Sequence, residues 1–132
     1  MKVLETIEST GAMIVVDDTN TGSRSFAPEV SPTEEPLIAL AKGYTQVPCP
    51  FVTSFQDRLK YIGEMITRYR VDGVIFSIQK YCESEKLDFP LLREKLKQNF
   101  NVPVTLIETE FLGDMALIRT QVETFVESLL IH

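Results

Sequence analysis

The chain contains no tryptophan, a single histidine and only two cysteines. The histidine is His132, the last residue, where fraying is expected. Ser-His-Asp triads, Cys-His pairs and histidine metal sites are therefore excluded within this chain. No apolar run approaches the roughly 20 residues that a membrane span requires. The start, MKVLE, turns acidic too early for a signal peptide, and no small-residue cleavage site follows an apolar stretch. Positive charge is also scarce: thirteen Lys and Arg stand against nineteen Asp and Glu, a net charge of −6. Wrapping nucleic acid, which depends on neutralising phosphates, is a poor fit. An anionic ligand meeting a few converging basic residues stays open. These absences predict a cytoplasmic domain. Its chemistry, if it has any, must rest on Cys, carboxylates, Lys, Arg or an external cofactor.

What is present suits one globular domain. The 132 residues are 44% hydrophobic and 24% charged, an ordinary globular balance. A chain of this length buries enough surface to fold without a disulfide or metal staple. Leu4 and Ile7 have helical spacing, with Gly11 as a C-terminal stop. The absence of an N-cap before this helix hints at a segment cut from something longer. AMIVV, at 12–16, reads as a strand buried on both faces, ended by Asp17 and Asp18. Residues 18–35 form a loop. Glu35 and Pro36 open a helix that stops near Gly43.

Pro48, Cys49 and Pro50 make a stiff extended link. Thr53 or Ser54 then caps a longer helix, with Asp57 completing an imperfect capping box. Phe55, Leu59, Ile62, Ile66 and Tyr69 form its apolar stripe. A second buried strand covers 74–78, and polar loop follows over 79–86. Asp88, Phe89 and Pro90 start the next helix, with Leu92, Leu96 and Phe100 facing inward. A third strand covers 104–107. Gly113 and Asp114 cap the last helix, whose stripe is Ile118, Val122, Phe125 and Leu129. Strands alternating with helices predict a three-layer α/β domain, flavodoxin-like or Rossmann-like, with a small parallel sheet between helices. Three strands leave outer edges that another domain or chain would cover.

Open parallel sheets bind ligands beyond the carboxyl ends of their strands. Those ends carry Asp17, Asp18 and the turn Thr21-Gly22-Ser23-Arg24. They also carry Gln79-Lys80-Tyr81-Cys82-Glu83 and Glu108-Thr109-Glu110. Cys49 lies near the same mouth if the segment 48–53 crosses it. Both cysteines fall in loops, unlike the usual buried free cysteine. Inert thiols, a disulfide and metal or cluster ligation all remain open. Two cysteines without a CxxC spacing cannot complete a four-thiolate site. Thr21-Gly22-Ser23-Arg24 reads as a plain surface turn, since it matches no Walker or dinucleotide motif. Asp17 and Asp18 are expected to cap the loop that follows them. Lys80 could meet an anionic substrate. Glu108 and Glu110 are expected on opposite faces, so that one lines the mouth and paired acid–base work is excluded.

An ordered set of segments carries a resemblance. It comprises Asp17-Asp18, Thr21 to Phe26, Pro48-Cys49-Pro50, Val71 to Phe76, Lys80-Tyr81-Cys82, Val102 to Glu110 and Ile118 to Glu127. Together they resemble the C-terminal domain of the 2-hydroxyacyl-CoA dehydratase and benzoyl-CoA reductase family, of the 2-hydroxyglutaryl-CoA dehydratase D-component type. The resemblance implies that residues 1–132 are one C-terminal α/β domain of a two-domain subunit. It implies an N-terminal domain of the same subunit, a sister subunit, an acyl-CoA substrate and an ATP-dependent activator protein with its own cluster. Cys49 and Cys82 match two ligands of a 4Fe–4S cluster, whose third protein ligand would come from the other domain. The cluster passes single electrons to a thioester, driving loss of water from a 2-hydroxyacyl-CoA or reduction of an aromatic ring. Arg24, Lys80 and Glu108 are substrate-side candidates by position. The isolated chain is expected to hold no cluster and to be inactive. Two other readings remain: a cofactor-free docking or scaffold domain that pairs with a sister subunit, and a small thiol-redox protein.

Overall fold

The computed structural model describes residues 2–26, 28–46, 48–49, 53–110 and 115–131. Helix α1 spans Lys2–Glu8, α2 Pro36–Thr45, α3 Phe55–Tyr69, α4 Glu83–Phe100 and α5 Met115–Leu130. Strand β1 spans Val74–Gln79 and β2 spans Val104–Thr109. A single turn of 3-10 helix covers Ser23–Ser25.

Local chemistry accounts for most helix ends. Glu35 caps α2 by accepting from the Ile38 N–H at 3.0 Å, with Pro36 in the first turn. Ser54 caps α3: its Oγ accepts from the Asp57 N–H at 3.2 Å and donates to Asp57 Oδ2 at 2.6 Å. Gly11 adopts φ +87°, the left-handed form expected just past α1. Arg70 and Asn101 end α3 and α4 in the left-handed region without glycine. The cap expected at Gly113 and Asp114, the Pro50 side of the extended link and His132 lie outside the described residues.

The strands pair in parallel, with Val74 opposite Val104 and Gln79 opposite Thr109. Side chains alternate between two faces. Val74, Phe76, Ile78, Val104 and Leu106 join Ile62, Ile66, Phe89, Leu92 and Leu96 under α3 and α4. Ile75 and Ile107 join Ile7, Ile118 and Val122 under α1 and α5. The result is the anticipated α/β sandwich, with helices on both faces of a small parallel sheet.

Three expectations change. The run at 12–16 forms no ladder among the described residues, where the sheet has two strands. Ala12 and Ile14 pack on the α1–α5 side, but Met13 and Val15 are 81% and 46% exposed. The segment is extended with one face covered, so an unbroken apolar run did not mean burial on both sides. Helix α4 begins at Glu83, well before Pro90, which lies inside it. Proline lacks the N–H donor and its ring crowds the carbonyl one turn earlier, and the inward stripe of Phe89, Leu92 and Leu96 offsets that cost. At the end of α3, Tyr69 is exposed and outside the stripe that Ile62 and Ile66 anchor.

Candidate functional site

The carboxyl ends of β1 and β2 open onto the loop that follows residues 12–16, the start of α3 and the start of α4. That loop is built around Asp17. Asp17 Oδ1 accepts from the Thr19 N–H at 3.0 Å, the Thr19 hydroxyl at 2.7 Å and the Ser23 N–H at 3.2 Å. The Ser23 hydroxyl donates to the Asp17 carbonyl. The Thr19 hydroxyl bond leads the effects that hold the Asp17 carboxyl below its ordinary value, with burial working against it. Gly22 passes so close that an added Cβ would lie 2.1 Å from Asp17 Oδ1. Asp17 thus caps the loop as expected. Asp18 does something else.

Asp18 takes the guanidinium of Arg24 in a two-pronged pair, Nε to Oδ1 and Nη2 to Oδ2, each at 2.7 Å. Arg24 Nη1 donates to Asn20 Oδ1 at 3.1 Å. The Arg24 side chain is only 8% exposed. Burial works against its charge, but Asp18 outweighs that, so the guanidinium is held above its ordinary value. The charge of Glu85 also acts on it. The phenol of Tyr61, on α3, is pushed up by burial and then by Asp18. The turn at 21–24 is therefore not a plain surface turn. Its arginine is an internal tie, and its hydrogen-bonding fork is occupied rather than presented to a substrate.

Arg58, in the first turns of α3, is a second internal cation. Nη1 donates to Asp88 Oδ2 at 3.3 Å, and Nη2 lies 3.8 Å from Glu85 Oε1. Both acceptors are on α4. Nothing in its local sequence distinguished Arg58 from the other basic residues of an amphipathic helix. Its position on the same side as Phe55 and Ile62 was the available signal.

Cys82 is the residue that caps α4, without a side-chain bond to the helix backbone. It is half-buried against the α3–α4 core, with Sγ 3.8 Å from Ser84 Oγ. Tyr81 before it holds φ +78°, an uncommon backbone for a residue with a side chain. Cys49 is half-buried, and its carbonyl accepts from the Thr53 N–H at 2.9 Å, one turn before α3. Both thiols are free. Lys80 pairs with Glu110. Lys86 pairs with Glu108 at 2.9 Å, a bond that raises the lysine above its ordinary value. Opposite faces for Glu108 and Glu110 do not follow, because strand alternation has a period of two and positions two apart share a face. Each carboxylate has its own lysine, so paired acid–base work by the two remains without support.

Comparison with known proteins adds a finding of another kind. The family of the 2-hydroxyglutaryl-CoA dehydratase D-component matches residues 1–129. The chain belongs to that family. YjiM of Escherichia coli (strain K12), described as an inferred dehydratase subunit, is 30% identical over 129 residues. The beta subunit of (R)-phenyllactyl-CoA dehydratase from Clostridium sporogenes is 28% identical over 129 residues. A benzoyl-CoA reductase subunit from Thauera aromatica is 26% identical over 133 residues. These alignments cover 97%, 96% and 98% of this chain but 34% of each relative. The chain spans about a third of the length of the curated relatives it matches.

Family membership raises the question of an iron–sulfur cluster. The donor chemistry suits one in part. Cys82 is a free, half-buried sulfur at the cap of α4, and Cys49 is a free, half-buried sulfur in the segment that precedes α3. Among the described residues no group of three or more His, Cys, Asp or Glu is arranged to hold a metal ion. The two thiols therefore fit a shared donor set and not a complete one. Among the same residues, no helix is long and apolar enough to cross a membrane.

Proposed function

We propose that this chain is the C-terminal, thiol-bearing domain of a subunit of a 2-hydroxyacyl-CoA dehydratase or a related benzoyl-CoA reductase. Cys49 and Cys82 are its ligands to a 4Fe–4S cluster. The remaining ligand comes from the N-terminal domain of the same subunit. The observation that carries this reading is a pair of free, half-buried thiols in two helix-start loops of a chain whose family match runs nearly end to end. Such a cluster, when bound, supplies electrons one at a time to an acyl-CoA thioester.

The chain's own side chains have simpler tasks. Cys49 and Cys82 hold iron. Arg24 and Asp18 stiffen the loop beside Cys49, and Arg24 places positive charge near that sulfur, the sign that suits an anionic ligand set. Lys80 and Lys86 stand at the mouth, each neutralised by a carboxylate, Glu110 and Glu108. An anionic acyl-CoA approaching the mouth meets Lys80 first, which exchanges Glu110 for a ligand oxygen. Glu108 stays with Lys86 and sets the polarity of the rim. A sister subunit and an ATP-dependent activator complete the assembly, and the reaction is assigned to the cytoplasm.

Anaerobic loading with iron and sulfide tests this reading in the full-length subunit. Cys49→Ser and Cys82→Ser are each expected to abolish the thiolate-to-iron absorption and the activity. Retention of a full cluster by either variant overturns the assignment. A second reading, a docking domain without a cofactor, draws on α2. There Leu37, Ile38, Leu40 and Tyr44 are all exposed. Under that reading the serine variants keep activity, while charged substitutions on α2 abolish pairing with the sister subunit.

A further inference from the structure

Arg24 and Arg58 are the two buried charged residues among those described, and Arg58 is the deeper, at 2% exposure. Its Nε is buried with no hydrogen-bond partner. An arginine placed for solvation or for surface charge would not give up a donor in this way. Its two Nη groups reach across the helix interface, to Asp88 at 3.3 Å and to Glu85 at 3.8 Å. Those carboxylates belong to the opening turns of α4, the helix that Cys82 caps. Arg58 itself belongs to the opening turns of α3. Its N–H donates to the Ser54 carbonyl at 3.0 Å, and Thr53 donates to the Cys49 carbonyl at 2.9 Å.

We infer that Arg58 is the positioning residue for the two thiols. Through Glu85 and Asp88 it ties the start of α4, which Cys82 caps, to the start of α3, which follows Thr53 and so the bond from Thr53 to the Cys49 carbonyl. Arg24 extends the lock, since Asp18 holds it in the neighbouring loop and the Glu85 carboxylate acts on it. Apolar contacts from Ile62, Ile66, Leu92 and Leu96 hold the two helices together further along. Such contacts tolerate small rotations. The hydrogen bond from Arg58 to Asp88 is directional, and the Glu85 carboxylate adds charge attraction at 3.8 Å. The inference rests on the cysteine-ligand reading for its purpose but not for its measurement.

The chain has only two cysteines, so nitroxide labels at Cys49 and Cys82 report one distance, read by pulsed electron paramagnetic resonance. The unmodified chain is expected to give one narrow distribution. Arg58→Met keeps most of the buried apolar stem and leaves Glu85 and Asp88, both partly exposed, without their cation. It is expected to widen the distribution at least twofold. Arg58→Lys is expected to restore at least half of the narrowing. Leu96→Ala lowers stability away from the helix starts and is expected to leave the width unchanged.

If Arg58→Met fails to fold, the double variant Glu85→Ala/Asp88→Ala removes both acceptors through partly exposed side chains, and the same widening is required. A broad distribution in the unmodified chain, equal widths before and after cutting the link, or equal widening by Leu96→Ala overturns the inference. Iron content is scored separately in the full-length subunit. Arg58-dependent distances with no iron at the thiols sink the ligand reading alone, and unchanged distances sink the positioning whatever the iron content.

Discussion

At the scale of single residues, the loop at 17–24 is set by atoms that local sequence statistics treat as ordinary. Gly22 is there because Asp17 leaves no room for a side chain. Gly22→Ala is expected to cost about 1–3 kcal/mol through strain and a broken capping bond. Urea unfolding with an unchanged slope checks this. Asp17 also carries an acid-linked part of the stability. Its folded value is depressed by the Thr19 and Ser23 bonds. The stabilising contribution is therefore full above the unfolded carboxyl value of about 4 and is lost as pH falls through the folded one. Asp17→Asn is expected to flatten the fall in stability below about pH 4. Melting curves at stepped pH, compared with the unmodified chain, decide the matter.

At the scale of elements, the helices are governed by their ends. Ser54 supplies the acceptor for the first free donors of α3 and bonds the Asp57 side chain. Ser54→Ala is expected to lower stability by about 1 kcal/mol. Helix α4 carries the opposite case. Pro90 sits inside it, exposed on its outer side, and removes one backbone donor without contributing to the core. Pro90→Ala is expected to raise stability by roughly 1–3 kcal/mol, the penalty of a proline inside a helix. Thermal unfolding followed by circular dichroism reads both changes. Tyr81 belongs at this scale too. Its left-handed backbone turns the chain out of β1, so that Cys82 stands at the head of α4 rather than along it.

At the scale of the whole molecule, two cores share one small sheet. Leu92 lies in the α3–α4 core and Ile118 in the α1–α5 core. Leu92→Ala and Ile118→Ala are each expected to cost about 2–5 kcal/mol. The clusters have no buried member in common, so the double variant is expected to lose the sum to within about 0.5 kcal/mol. A larger deviation means that the sheet passes strain from one face to the other. Exposed apolar residues are spread over the surface, with four of them, Leu37, Ile38, Leu40 and Tyr44, on the single helix α2.

The order of helices and strands, the inward stripes of α3 and α4 and the loop positions of both cysteines were legible in the sequence. Each depends on periodicity or on a turn signal within a few residues. The missing third ladder was not legible. AMIVV is apolar throughout, and whether such a run pairs depends on a neighbouring strand edge, which no local pattern encodes. The ionic partners were not legible either. Arg58 meets Asp88 across 30 residues of chain, and Lys80 meets Glu110 across the same separation. Composition limited any chemistry of this chain to cysteine, carboxylates, lysine, arginine or an external cofactor, because its one histidine is the last residue. Only packing decided that Arg24 and Arg58 would turn inward, because a buried guanidinium is tolerable only where a carboxylate meets it, Asp18 from the same loop for Arg24 and Asp88 from a different helix for Arg58.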